Sequence, residues 1–126
     1  MEANLILEGT NKTPLVNFSL QTGVLELGGK SIPENSFGFY QPLLNWIDEY
    51  SQNPQTKTDV KITLEYFNTS SSKCLLDIFR KLSALHQTGK SNVEVFWYYE
   101  EEDEDMMEAG QDYESLVDLK FSIIKL

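Results

Sequence analysis

Alternation of apolar and polar residues at a period of two marks the strands of this chain, and apolar residues three or four apart mark its helices. Val60, Ile62, Leu64 and Tyr66 alternate with Lys61, Thr63 and Glu65, which predicts a strand with one buried face. Val93, Val95 and Trp97 are interleaved with Phe96 and Tyr98, so this strand is expected to be covered on both faces. Shorter strands are predicted over 4–8, 15–20 and 24–28, the last two joined by Gln21-Thr22-Gly23, with a final strand over 119–126.

Helical spacing runs through Phe37, Tyr40, Leu44 and Ile47, widened by Leu43 and Trp46, and predicts a helix over 36–50. Asn35 or Ser36 caps it, while Pro42, which lacks an N–H, is expected to kink it or mark its first turn. A second stripe, Leu75, Ile78, Phe79, Leu82 and Leu85, stops near Gly89, a natural C-terminal residue for a helix. A short helix over 103–114 is expected to be weakened by Gly110. Three strands followed by alternating helices and strands predict a single α/β domain over residues 1–126. Its mixed sheet has about six strands, with three helices packed against it.

Composition changes this picture only through charge. At 126 residues and 40% hydrophobic the chain fills one core, but 20 acids against 10 bases give a net charge of −10. The excess is local: from Ser91 to Leu119 there are eleven acids and no Lys or Arg, centred on the run Glu100 to Asp105. The plain reading is a solvated loop and helix start, because acids in a first turn suit the helix dipole. A divalent-cation site lacks the alternating oxygen ligands and central Gly of an EF-hand loop. An acidic docking face for a partner is the third reading.

Without clustered Lys and Arg, nucleic acid is not an expected partner. No run of about eighteen apolar residues occurs, so no membrane insertion is expected. The N-terminus has no signal-peptide layout, and a single cysteine fits a reducing compartment, so the expected location is cytoplasmic. Cys74 and His86 fall in one predicted helix, roughly 18 Å apart at ~1.5 Å per residue. They form neither a zinc site nor a nucleophile pair. Cys74 is expected to be a buried, inert thiol, and His86 a dipole partner or packing residue at the helix end. Phe37, Tyr40, Trp46 and the Trp97-Tyr98-Tyr99 aromatics are expected in the core, with an exposed aromatic docking patch as the alternative for the last three. No Gly-rich phosphate loop or nucleophile elbow appears, so no catalytic residue, metal or cofactor is expected, and the chain is not read as an enzyme.

Residue type and position together suggest chemistry at one place, Asn68-Thr69-Ser70-Ser71-Ser72-Lys73, where a strand ends and a helix begins. Ser and Thr are preferred helix caps, and one or two hydroxyls suffice for that role. The functional alternative is phosphorylation. A phosphate here sits at the positive end of a helix dipole and adds roughly −1.5 to −2 charges to an uncharged surface. Lys73, about one turn on, is placed to hold it, unless Asp77 at i+4 already occupies that Lys.

These residues carry a resemblance. Ser31-Ile32-Pro33-Glu34-Asn35-Ser36 stands before the first helix and Trp46 inside it. Asn68-Thr69-Ser70-Ser71 leads a helix with Asp77, then His86 and Gly89, and Trp97-Tyr98-Tyr99 closes the set. Over nearly its whole length the chain resembles the SiaC family of bacterial regulatory phosphoproteins. That resemblance implies a STAS-like fold, like that of anti-sigma-factor antagonists, and a partner-switching role. A serine/threonine kinase with a histidine-kinase-like ATPase fold would add the phosphate, and a PP2C-type phosphatase would remove it. The unphosphorylated form would bind and promote a diguanylate cyclase, linking the switch to cyclic-di-GMP and biofilm signalling.

The family's modified threonine falls on Thr69. Ser72 stands where a bulkier residue commonly follows, which leaves Ser70, Ser71 and Ser72 as competing acceptors. The expected partner surface is Asn68, Thr69, Ser70, Ser71, Lys73 and Asp77. The alternatives are a constitutive adaptor whose junction only caps a helix, and a phosphoswitch acting on a different effector, such as an anti-sigma-like kinase.

Overall fold

The computed structural model describes residues 3–126. Six strands lie across one sheet in chain order: β1 (Leu5–Leu7), β2 (Leu15–Phe18), β3 (Val24–Ser31), β4 (Lys57–Phe67), β5 (Asn92–Tyr99) and β6 (Lys120–Lys125). Strands β1 to β3 pair antiparallel and β3 to β6 pair parallel, so the sheet is mixed. The parallel strands are joined by α1 (Ser36–Tyr50), α2 (Thr69–Gln87) and α3 (Glu104–Leu116). Right-handed crossovers that step in one direction across a sheet put every helix on the same face. The core lies between that face and the helices. Val16, Leu25, Val95 and Trp97 from the strands meet Tyr40, Ile47, Leu75, Phe79 and Leu82 from the helices, all fully buried. Each such side chain contributes about 1.5–3 kcal/mol on leaving water.

One expectation fails on the other face. No helix among the described residues covers it, and Phe96 and Tyr98 are only half-buried there, so β5 is covered by helices on one side alone. An unbroken apolar run reads the same whether its second face meets a helix or only neighbouring side chains. A second difference lies at the end of β4. The β3–β4 ladder pairs Gly29 with Leu64 and Lys30 with Tyr66, leaving Glu65 as an extra residue in β4. The alternation shifts by one, so Tyr66 turns out to 57% exposure while Phe67 turns in to pack on Trp97 and Tyr113.

Helix α1 begins at Ser36 and continues through Pro42, which stands on the exposed side. Gly38, whose carbonyl Pro42 cannot bond, is exposed too, so the residue that loses its helical partner stands on the solvent side. The inward stripe of α1 starts at Ser36 and runs through Tyr40, Leu43, Leu44, Ile47 and Tyr50. Phe37, expected in the core, lies about 100° further round the helix and is 68% exposed. Gly110 is not a weak point of α3. A Cβ there would lie 2.5 Å from the Trp97 ring, and its absence lets α3 come close enough for Trp97 Nε1 to donate to the Met106 carbonyl at 2.9 Å.

Candidate functional site at the strand–helix junction

Strands β3 and β4 end side by side, with Ser31 paired to Phe67, and each chain then turns into a helix. The first turns of α1 and α2 therefore meet above the carboxyl ends of two parallel strands. Asn68 N–H donates to the Ser31 carbonyl at 3.0 Å and fixes the turn. Both helices are capped by asparagine: Asn35 Oδ1 accepts from Gly38 N–H at 3.0 Å, and Asn68 Oδ1 from Ser71 N–H at 2.8 Å. Neither first turn carries an acid, so two positive helix ends stand together, with Glu34 just ahead of the Asn35 cap and Asp77 a turn or two along α2 as the nearby carboxylates.

Hydroxyls fill this corner, and nearly all are engaged. Tyr40 Oη lies 2.6 Å from Ser31 Oγ, which donates to Ser71 Oγ at 2.8 Å; Ser71 Oγ in turn donates to the Ser31 carbonyl at 3.1 Å. Ser36 Oγ lies 2.7 Å from Ser70 Oγ, and Ser70 Oγ donates to Asn68 Oδ1 at 3.2 Å. Ser72 Oγ donates to the Thr69 carbonyl at 2.7 Å. Thr69 is exposed, and its hydroxyl has no hydrogen-bond partner among the described residues. Burial pushes the Tyr40 phenol up to about 12, from an ordinary 10.0, despite the bond to Ser31.

Of the residues expected to form a partner surface, Thr69, Lys73 and Asp77 follow one another at four-residue spacing along one side of α2, and all are exposed with Ser70. Asn68 is half-buried, held by its capping role. Ser71 does not belong to that surface, nor is it open as an acceptor. It is fully buried, because a one-residue step along a helix turns a side chain by about 100°, here from solvent toward β3. Lys73 forms no ion pair with Asp77 or with any other described residue, so the competition expected for its charge is absent. A depression of about 380 Å³ opens between the two first turns, where Glu34, Ser36 and Phe37 face Ser70, Lys73 and Asp77.

Reading the chain missed three members of this corner: Ser31 and Ser36 as hydrogen-bonding partners, and Phe37 as an exposed aromatic. The serines lie some 34 to 40 positions from those they bond, and no local pattern signals a pairing at that distance. Elsewhere, Cys74 is buried, which raises its thiol pKa, with the Asp77 charge adding to the effect. His86 Nδ1 accepts from Val93 N–H at 3.1 Å and ties the end of α2 to β5. In the acidic run, Asp103 caps α3 by accepting from Met106 N–H at 3.0 Å, and Glu104 and Asp105 occupy its first turn. No described helix is long and apolar enough to cross a membrane.

One sheet, three helices on one face and a hydroxyl-rich corner at the strand ends define a small α/β domain. The chain belongs to the SiaC family: the model for SiaC family regulatory phosphoproteins matches residues 7–126. An uncharacterized protein of Pseudomonas aeruginosa (strain UCBPP-PA14) is 30% identical over 121 residues, 96% of this chain and 95% of that protein. The crystal structure of apo-SiaC from Pseudomonas aeruginosa superposes with a TM-score of 0.88 at 29% identity, covering 97% of this chain and 98% of that one. A chain in the crystal structure of the diguanylate cyclase SiaD with its activator SiaC, from the same species, gives a TM-score of 0.90 at 30% identity, covering 97% and 99%.

Proposed function

We propose that this chain is a non-enzymatic regulatory protein, switched by reversible phosphorylation of Thr69, that binds and promotes a diguanylate cyclase while that hydroxyl is free. One observation carries the reading. Among four consecutive hydroxyls, that of Thr69 alone combines exposure with freedom from any hydrogen bond among the described residues. Capping, the competing role, is already performed by Asn68, so the Thr69 oxygen is not needed for it. A phosphate on Thr69 would lie beside the positive ends of two helices, with the unpaired Lys73 one turn away to receive it.

The remaining partners in this reading are those the family resemblance implies. A kinase with a histidine-kinase-like ATPase fold supplies the phosphate, and a PP2C-type phosphatase removes it. The cyclase partner is supported by the similar SiaC, which is the activator of the diguanylate cyclase SiaD. The switch needs no change of fold. A dianion placed against a closely packed or acidic partner surface costs about 3 kcal/mol, roughly a hundredfold in affinity.

The test is made with the kinase and diguanylate cyclase of the same host. MgATP and the kinase should add one phosphate to the intact mass of the protein, and Thr69→Ala should abolish it. Thr69→Asp should weaken cyclase binding by up to about a hundredfold in a calorimetric titration, because a carboxylate supplies part of the same charge. If Thr69→Asp binds as well as the parent protein, the charge mechanism fails.

A further inference from the structure

Four neighbouring hydroxyls at one helix start raise the question of what confines a kinase to one of them. We propose that Ser36 reserves phosphorylation for Thr69 by engaging the hydroxyl of Ser70, the one competitor that is also exposed. The inference rests on the phosphoswitch reading and deepens it, assigning acceptor choice to a residue on the other helix.

Proton bookkeeping supports it. A serine hydroxyl has one proton to donate. Ser70 gives its proton to Asn68 Oδ1, so in the 2.7 Å contact between Ser70 and Ser36 the donor is Ser36. Asn68 Oδ1 accepts from Ser71 N–H as well as from Ser70, so both of its lone pairs are used. A parallel chain runs deeper: Ser31 donates to Ser71, so Tyr40 donates to Ser31, and Ser71 ends the chain on the Ser31 carbonyl. With the Ser36 proton on Ser70 and the Ser71 proton on a carbonyl, the 3.3 Å approach of Ser36 to Ser71 is a contact between the two chains that carries no proton. Each chain therefore has one polarity, and every serine hydroxyl in the corner is committed.

Phosphoryl transfer makes the opposite demand. The acceptor oxygen uses a lone pair to form the new O–P bond as the bond from the γ-phosphorus to the leaving nucleoside diphosphate breaks, and its proton passes to a base on the kinase. Ser70 has its proton held by Asn68, a bond that must break before it reacts, and one lone pair held by Ser36, which leaves a single lone pair in a fixed direction for attack. Thr69 has neither constraint. Ser36 is buried, and its position in the first turn of α1 is set by the Asn35 cap, so it holds Ser70 from a fixed point.

The experiment maps phosphate by peptide mass spectrometry after incubation with MgATP and a lysate of the source organism. In the parent protein the phosphate should lie on Thr69. In Ser36→Ala the ratio of Ser70 to Thr69 phosphopeptide should rise about fivefold or more, the worth of one ordinary hydrogen bond. Continued labelling of Thr69 in that variant shows that the junction is still folded. Tyr40→Phe cuts the other chain and leaves the Ser36–Ser70 bond intact, so its ratio should match the parent.

An unchanged ratio in Ser36→Ala, with Thr69 labelled throughout, overturns the role of Ser36 and leaves the phosphoswitch standing. An equal shift in Tyr40→Phe also overturns it, since general loosening would then be the cause. Absence of phosphate from the parent protein removes the phosphoswitch reading and this inference together.

Discussion

The two ends of α1 carry the same chemistry and put it to different uses. Near its start Tyr40, and at its last residue Tyr50, are both fully buried, and each feeds a cluster of hydroxyls. At the far end Tyr50 Oη lies 2.8 Å from Thr58 Oγ1, which lies 2.6 Å from Ser91 Oγ; Tyr50 also accepts from Gln55 N–H at 3.2 Å. Every side chain of that trio is buried, and the bonds join α1, β4 and the approach to β5. At the near end the cluster reaches Ser70 at the surface, beside Thr69. A closed network can only stabilise. One that opens to solvent also fixes the hydrogen-bonding state of the surface it reaches, and there chemistry can be selective.

Breaking the closed end should have the largest effect on stability. Thr58→Val keeps the shape but strands the hydroxyl of Ser91 and leaves Tyr50 only its bond from Gln55 N–H, and should cost about 3 kcal/mol. The check is a lower urea midpoint with an unchanged slope, and cyclase binding should not alter at temperatures where the variant is folded. Ser31→Ala at the open end should cost less, about 2 kcal/mol, although it takes a partner from both Tyr40 and Ser71. A loss equal to that of Thr58→Val would erase the distinction between the two ends.

Tyr40→Phe should cost about 1 kcal/mol at neutral pH, and it carries a pH signature. The folded protein holds the Tyr40 proton up to about 12, whereas the unfolded chain releases it near 10.0. The stability that this difference contributes is full below the lower value and is lost as pH rises through the higher one. Urea midpoints should therefore fall less steeply in Tyr40→Phe than in the parent between about pH 10 and about pH 12. Burial raises the Tyr113 phenol too, and the Tyr40 charge adds to that rise, so replacing Tyr40 lessens the Tyr113 contribution and flattens the slope in the same direction.

The helices were legible because their signals are local. An asparagine cap and apolar residues three and four apart mark α1 over 36–50, and the second stripe lies within α2, which follows its Asn68 cap. Thr69 was legible for the same reason, as a hydroxyl at a strand end ahead of an amphipathic helix. What escaped depends on contacts between distant segments. The extra residue Glu65 exchanges the faces of Tyr66 and Phe67 only because β4 bulges against β3 beside Gly29. Ser71 resembles its neighbours in sequence, yet helical rotation alone places it under the sheet corner while Thr69 stays outside. The partnership of Ser36 with Ser70 exists only once two helices that are far apart in the chain begin at adjacent strand ends.

Strand order that follows chain order also shapes how the molecule assembles on the ribosome. Each strand pairs with the one made just before it, so no segment waits for a distant partner and the loops closed at each step stay short. At a synthesis rate of roughly 5–20 residues per second, growth is slow beside helix and hairpin formation. Once Gln87 clears the exit tunnel, β3, α1, β4 and α2 are all available, and the corner that holds Thr69 can close before α3 and β6 have emerged.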